Sequence, residues 1–153
     1  MFKIFIDGQN GTTGLQIKDR LTERDDMELI ELSDAERKTD AAKKAALGAA
    51  DVAILCLPDD AARQTAQLAT KTRLIDASTA HRTHPDWTYG LPELCPEQRR
   101  KIQTAERVSN PGCYPTGFIL LIRPLIALGL LKPDHAIFVS ALSGYSGGGK
   151  AMI

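Results

Sequence analysis

Cys113 lies in "VSNPGCYPTG", residues 108–117, between a Pro-Gly turn and an apolar stretch. A cysteine in such a place can pack as a small hydrophobe, ligate a metal, or act as a nucleophile. Pro111 and Gly112 force a turn just before it, and the helix-like "TGFILLIRPLIALGL" follows almost at once. A thiol at a helix N-terminus faces the positive end of the helix dipole, which favours the thiolate, the reactive form. The other two cysteines have plainer contexts. Cys56 sits inside the apolar "AILCLP" and reads as a packed side chain, while Cys95 opens the polar "PELCPEQ" and reads as incidental. Their irregular spacing matches neither a disulfide framework nor a zinc site, so no metal is expected.

A second constellation lies near the N-terminus. Gly8, Gly11 and Gly14 form G-x-x-G-x-x-G between the strand-like "FKIFID" and a helical pattern, with Thr12 and Thr13 at the helix entrance. Glycines there allow a tight turn and a close backbone approach, and the free N–H groups of the helix start attract an anion such as a pyrophosphate. Glycines also make ordinary turns. The order strand, glycine loop, helix, strand favours a dinucleotide site. The next strand ends in "ELSDAERK", where Ser33 and Asp34 stand at the position that often holds the ribose. Arg37 and Lys38 just beyond can clamp a 2′-phosphate, which points to NADP, whereas Asp34 argues mildly for NAD. A solvated face at a helix start is the plainer reading of the same charges.

The elements that position these residues follow from the hydrophobic pattern. "FKIFID", "MELIEL", "DVAILCLP" and "RLIDAS" read as strands, the third as one buried on both faces. "LQIKDRL", "AAKKAALG" and "DAARQTAQLA" read as helices, the second closed by Gly48 and the third capped by Asp59. This alternation predicts an α/β fold, a Rossmann-type mostly parallel sheet with helices on both faces. After Thr79 a loop leads to a short helix, "ERVSN" reads as a further strand, and a helix interrupted by Pro124 follows. "AIFVSALSG" reads as a last strand running into "YSGGGK". The predicted division is a dinucleotide-binding domain over 1–112, then the cysteine helix and the start of an α+β catalytic domain over 113–153.

Composition narrows the partners. With 19 basic and 19 acidic residues among 153, the formal charge is zero and no long block of one sign occurs. Nucleic acid and anionic membranes are not expected partners. The longest apolar run is broken by Arg123 and Pro124, and "MFKIFIDGQNG" does not read as a signal peptide. A cytoplasmic protein is expected.

Four segments in order also resemble one family. "GQNGTTG", "DASTAHR" with "YGLPEL", "SNPGCYPTG" and "SGYSGGGK" are similar to the motifs of N-acetyl-gamma-glutamyl-phosphate reductase, an enzyme of arginine biosynthesis, in the shorter of its two branches. The second motif is commonly written D-x-S-x-x-x-R. The resemblance implies that Cys113 is the nucleophile, attacking the acyl phosphate to give a thioester that NADPH reduces to the semialdehyde. It implies a cofactor loop at Gly8, Gly11, Thr12, Thr13 and Gly14, with Ser78 and Arg82 bordering the active site. Ser143 and Gly144 would open a mobile loop near a small-molecule substrate, although a plain turn also fits them. Lys150 stands where arginine is expected, and a lysine cannot make the planar bidentate contact. Homo-oligomers are expected. Such enzymes draw a general acid/base histidine from the second half of a chain about twice this long, and His81, His84 and His135 read as polar loop residues. The chain thus reads as an N-terminal portion. Aspartate-semialdehyde dehydrogenase, whose segment resembles Asn-Cys-Thr, and a non-catalytic NADP(H)-binding module are the competing readings.

Overall fold

The computed structural model describes residues 1–144. Each short run rich in β-branched and aromatic residues becomes a strand: β1 (Phe2–Asp7), β2 (Met27–Ile30), β3 (Val52–Leu55), β4 (Arg73–Asp76), β5 (Thr88–Tyr89) and β6 (Arg107–Ser109). They form one six-stranded sheet in the order β2-β1-β3-β4-β6-β5. Every neighbouring pair is parallel, with Ile4 opposite both Leu29 and Val52, and Asp76 opposite both Leu55 and Ser109. The helices between them are α1 (Thr12–Thr22), α2 (Asp40–Ala49), α3 (Asp59–Leu68) and α4 (Gln98–Thr104), with α5 (Cys113–Ala127) following β6.

The chain steps from β1 outward to β2, then returns past β1 to β3 and β4. Right-handed crossovers therefore put α1 on one face and α2 with α3 on the other. The second face carries the core. Phe5, Ala53, Leu55 and Leu74 point to it and meet Leu47, Ala46, Ala50, Ala66, Ala69 and Trp87. Alanine along α2 and α3 lets these helices lie close to the sheet and to one another. The opposite face is covered less completely. Ile4 and Ile6 are buried there, but Val52 and Ile54 are only half-buried and Ile75 is exposed. The β3 run is thus buried on one face rather than two, because α1 packs over β1 and β2 and leaves the β3–β4 part open.

Several local expectations change in three dimensions. Gly48 lies inside α2, which ends at Ala49 with Ala50 as its C-cap. Asp59 occupies the first turn of α3 rather than its cap, which is Pro58, and its carboxylate reaches across to Thr79. The stretch after Thr79 contributes β5 at the sheet edge, where two residues suffice because β6 alone pairs with it. α5 runs on through Pro124. The strand expected in "AIFVSALSG" is absent: residues 136–144 have no regular structure and are exposed, since no neighbouring strand meets their backbone groups. Among the described residues no helix is long and apolar enough to cross a membrane.

Candidate active site

The C-terminal ends of β1, β3, β4 and β6 lie side by side, and the loops leaving them carry the chemistry. β1 and β3 send their chains in opposite directions, which opens a crevice at this edge of the sheet. Gly8, just after β1, has φ +90, and a Cβ there would stand 2.2 Å from the Cys56 carbonyl oxygen, so only glycine fits. Gly11 N–H donates to the Gly8 carbonyl at 3.0 Å, and Gly11 is the N-cap of α1, with no side-chain cap bond. The first helical bond is Leu15 N–H to the Gly11 carbonyl. The N–H groups of Thr12 and Thr13 are therefore left for a ligand. Gly14 is buried against the loop. A cavity of about 300 Å³ lies here, lined by Gly11, Thr12, Thr13, Cys56, Leu57 and Ala77, among others.

The loop is anchored from beneath. Asp7 is buried, and its Oδ2 accepts from Thr65 Oγ1 of α3 at 2.9 Å and faces Lys43 Nζ of α2 at 3.1 Å. One carboxylate thus ties the end of β1 to two helices immediately before the glycine turn. These glycines and threonines fit a dinucleotide phosphate: an uncapped helix start, a turn that a side chain would block, and a cavity at the reversal of strand order. Ser33 lies beyond β2 and gives its N–H and Oγ–H to Glu36 Oε2 at 2.8 and 2.6 Å. Arg37 pairs with Asp34, whereas Lys38 is exposed without an ion pair among the described residues.

Cys113 is the first residue of α5 and is exposed; Gly112 precedes it in extended conformation without a side-chain cap. The first backbone bond of α5 runs from Thr116 N–H to the Gly112 carbonyl. Pro115 has no N–H, so the donors left at this end are those of Cys113 and Tyr114. Cys56 differs: burial, then the Asp76 and Asp7 carboxylates, push its thiol up to about 11. Cys95 is half-buried beside Gln98.

Arg82 joins the two regions. Its Nε donates to the Asn110 carbonyl at 3.2 Å and its Nη2 to the Ala77 carbonyl at 3.4 Å. Nη1 lies so near the chain before Cys113 that a Cβ on Gly112 would stand 2.7 Å from it. The guanidinium therefore sits between the cofactor cavity, which Ala77 lines, and the start of α5. Ser78 is buried, and its Oγ donates to Asp76 Oδ2 at 2.7 Å. Its polar atoms are engaged with Asp76 and Ala80. Ser143 and Gly144 are exposed at the end of the described chain and have no regular structure. The rest of that loop, through Gly149, and Lys150 lie outside the described residues.

Sequence reasoning missed the surroundings of Asp76. His81, read as a polar loop residue, is buried, with Nδ1 2.7 Å from Asp76 Oδ2 and its ring stacked on Trp87 at 4.0 Å. The available signal was an acidic residue ending a buried strand, five positions before a histidine and followed by a lone tryptophan. His84 and His135 are exposed.

Comparison with known proteins bears on these parts. An N-acetyl-gamma-glutamyl-phosphate reductase of Brucella anthropi is 57% identical over 99% of this chain and 50% of its own length. The corresponding protein of Brucella ovis is 56% identical over the same shares. The chain spans about half the length of the curated relatives it matches. Among solved structures, an aspartate semialdehyde dehydrogenase from Francisella tularensis superposes with a TM-score of 0.68 at 19% identity, over 99% of this chain and 47% of that one. An aspartate semialdehyde dehydrogenase from Candida albicans, solved with NADP, superposes at 0.56 with 12% identity, over 83% of this chain and 47% of that one. At such identities these two establish the shared fold alone. The model of the semialdehyde dehydrogenase NAD binding domain matches residues 3–102 and that of the semialdehyde dehydrogenase dimerisation domain matches 113–153, and the chain belongs to this family.

Proposed function

We propose that this chain is the cofactor-binding and nucleophile-bearing part of an N-acetyl-gamma-glutamyl-phosphate reductase. The enzyme reduces N-acetyl-L-glutamyl 5-phosphate to the 5-semialdehyde with NADPH. The observation that carries this is the geometry around Cys113: an exposed thiol at the uncapped start of a 15-residue helix, with Arg82 beside Gly112 and bonded to Ala77, which lines the glycine-loop cavity. The 56–57% identity to reductases of that name supports the substrate over the aspartate analogue.

Cys113 Sγ attacks the acyl carbon; the C–S bond forms as the C–O bond to phosphate breaks, and inorganic phosphate leaves. When bound, NADPH supplies a hydride to the carbonyl carbon of the resulting thioester. The C–S bond then breaks, the aldehyde departs, and Cys113 returns to its thiolate. In both steps the N–H groups of Cys113 and Tyr114 face the oxygen on which charge develops. Arg82 meets the substrate's phosphate or carboxylate. Residues 1–112 act as the cofactor domain and 113–153 open the catalytic one. Gly8, Gly11, Thr12, Thr13 and Gly14 hold the pyrophosphate, while Ser33, Arg37 and Lys38 receive the 2′-phosphate. Ser143 and Gly144 approach the substrate. The match of 113–153 to a dimerisation domain supports a homo-oligomer. Three free thiols suit the reducing cytosol.

The test uses this chain continued by the second half of the Brucella anthropi relative. NADPH oxidation with N-acetylglutamyl phosphate should release one phosphate per aldehyde and vanish in Cys113→Ser. A preference for aspartyl phosphate, or turnover without Cys113, would overturn the assignment.

A further inference from the structure

We propose that Asp76, His81 and Trp87 form a buried clasp that positions Arg82 beside Cys113, making His81 a positioning residue. The inference rests on Cys113 being the nucleophile of the proposed reaction.

Asp76 ends β4 and is fully buried. Its Oδ1 accepts from the Ser78 N–H at 3.0 Å, and its Oδ2 accepts from Ser78 Oγ and from His81 Nδ1, each at 2.7 Å. Ser78 Oγ in turn accepts from the Ala80 N–H at 3.1 Å. One carboxylate thus winds residues 78–81 around itself, and a buried acceptor with these partners is costly to disturb. The far side of His81 is closed by Trp87, whose ring lies 10° from parallel with the imidazole and carries Arg107 over it at 5.8 Å. The turn between them is bonded internally, from His84 N–H to the His81 carbonyl and from Trp87 N–H to the His84 carbonyl. Thr79 is held separately by the Asp59 carboxylate, through its N–H at 2.9 Å and its hydroxyl at 2.5 Å. The hydroxyl's bond chiefly holds the Asp59 carboxyl below its ordinary range, against an opposing effect of burial that exceeds the help of the N–H bond.

Arg82 is the next residue after this fixed ring. Its own tethers are two carbonyls at 3.2 and 3.4 Å, at and beyond the long end of the usual N–H···O range, and its Nη1 has no partner among the described residues. The backbone at 81 therefore sets where the guanidinium emerges, and Gly112 leaves the space it enters. His81 is absent from the cavity of about 370 Å³ that Cys113 lines with Tyr114, Phe118 and Ile137: it borders a separate cavity of about 190 Å³ with Arg63, His84, Trp87 and Arg107. Its effect on the site runs through Arg82.

The experiment reads the cation at Cys113 directly, in the 153-residue protein and without turnover. Rate constants for alkylation of Cys113 by iodoacetate and by iodoacetamide are measured by peptide mapping, and their ratio reports local positive charge. Arg82→Gln should lower the ratio about threefold to tenfold, as expected for one cation a few ångströms away in a partly aqueous site. His81→Ala should lose most of the same amount, although it removes no charge near the thiol. His81→Asn keeps an N–H where Nδ1 stands and should restore much of the ratio. Should His81→Ala not fold, Ser78→Ala, which removes one bond to Asp76, must lower the ratio on its own. A wild-type ratio in the folded variant that tests the ring, while Arg82→Gln falls, overturns the clasp. An unchanged ratio in Arg82→Gln overturns the placement of Arg82. Failure of the proposed reductase reaction would leave these ratios untouched, so the two proposals fail separately.

Discussion

The three cysteines share one side-chain chemistry and differ in what surrounds them. Cys113 is exposed at the start of α5, beside backbone N–H groups that the helix leaves free. Cys56 is partly buried among carboxylates, and its thiol is raised to about 11. A raised thiol pKa keeps the neutral form through neutral pH, so at pH 7 only about one molecule in ten thousand carries a Cys56 thiolate. Iodoacetamide at pH 7 should therefore label Cys113 first, at least about tenfold faster than Cys95, with Cys56 unlabelled. Cys56 should begin to react only as the pH approaches its pKa in protein that is still folded. Peptide mapping of partly labelled protein distinguishes the three, and equal labelling of Cys95 and Cys113 would remove the case for an activated nucleophile.

At the scale of the element, the turn from β1 into α1 leaves no room for substitution at Gly8. Alanine there would hold φ +90 against its preference and drive its Cβ to 2.2 Å from a carbonyl oxygen. Gly8→Ala should cost at least about 1–2 kcal/mol, seen as a lower denaturation midpoint. It should also weaken NADP(H) binding, because the turn sets the approach of the phosphates. The turn after β2 presents a different balance. Arg37 is already paired with Asp34, so its charge is partly engaged before a cofactor arrives, whereas Lys38 is exposed without an ion pair among the described residues. Replacing Arg37 and Lys38 together by alanine should reduce the preference for NADPH over NADH by about tenfold to a hundredfold, mainly through weaker NADPH binding. Calorimetric titration of both cofactors checks this; equal affinities in the unmutated protein would refute the clamp.

Across the whole molecule, burial is uneven. The α2–α3 side of the sheet holds the core, but α5 buries none of its residues, and Leu121 and Phe138 are 72% and 93% exposed. Apolar surface on this scale associates with other apolar surface. A protein of these 153 residues should bind NADP(H), self-associate through α5 and the chain beyond it, and turn over N-acetylglutamyl phosphate negligibly. His81 is buried on Asp76, His84 accepts from the backbone N–H of Asp86, and His135 is exposed at the end of a turn beyond α5 and is not among the residues lining the cavity at Cys113. None stands as a general acid/base for Cys113, and such a group contributes about a hundredfold to ten-thousandfold. Sedimentation with a turnover assay tests both parts; robust Cys113-dependent turnover by a monomer would contradict them.

The parallel α/β order, the glycine turn and the cysteine at a helix start are legible in the order of the amino acids. Each depends on neighbours within a few positions: a period in hydrophobicity, a residue without a side chain, a turn before an apolar run. The burial of only one face of β3 and the absence of a strand in residues 136–144 were decided by what packs against them, which local pattern does not encode. The same holds for Asp76. Its carboxylate meets Ser78 and His81 because β4 ends inside the molecule, with Trp87 folded back from the β5 edge. Arg82 and Gly112 are thirty positions apart in the chain and come together only because β4 and β6 are neighbours in the sheet.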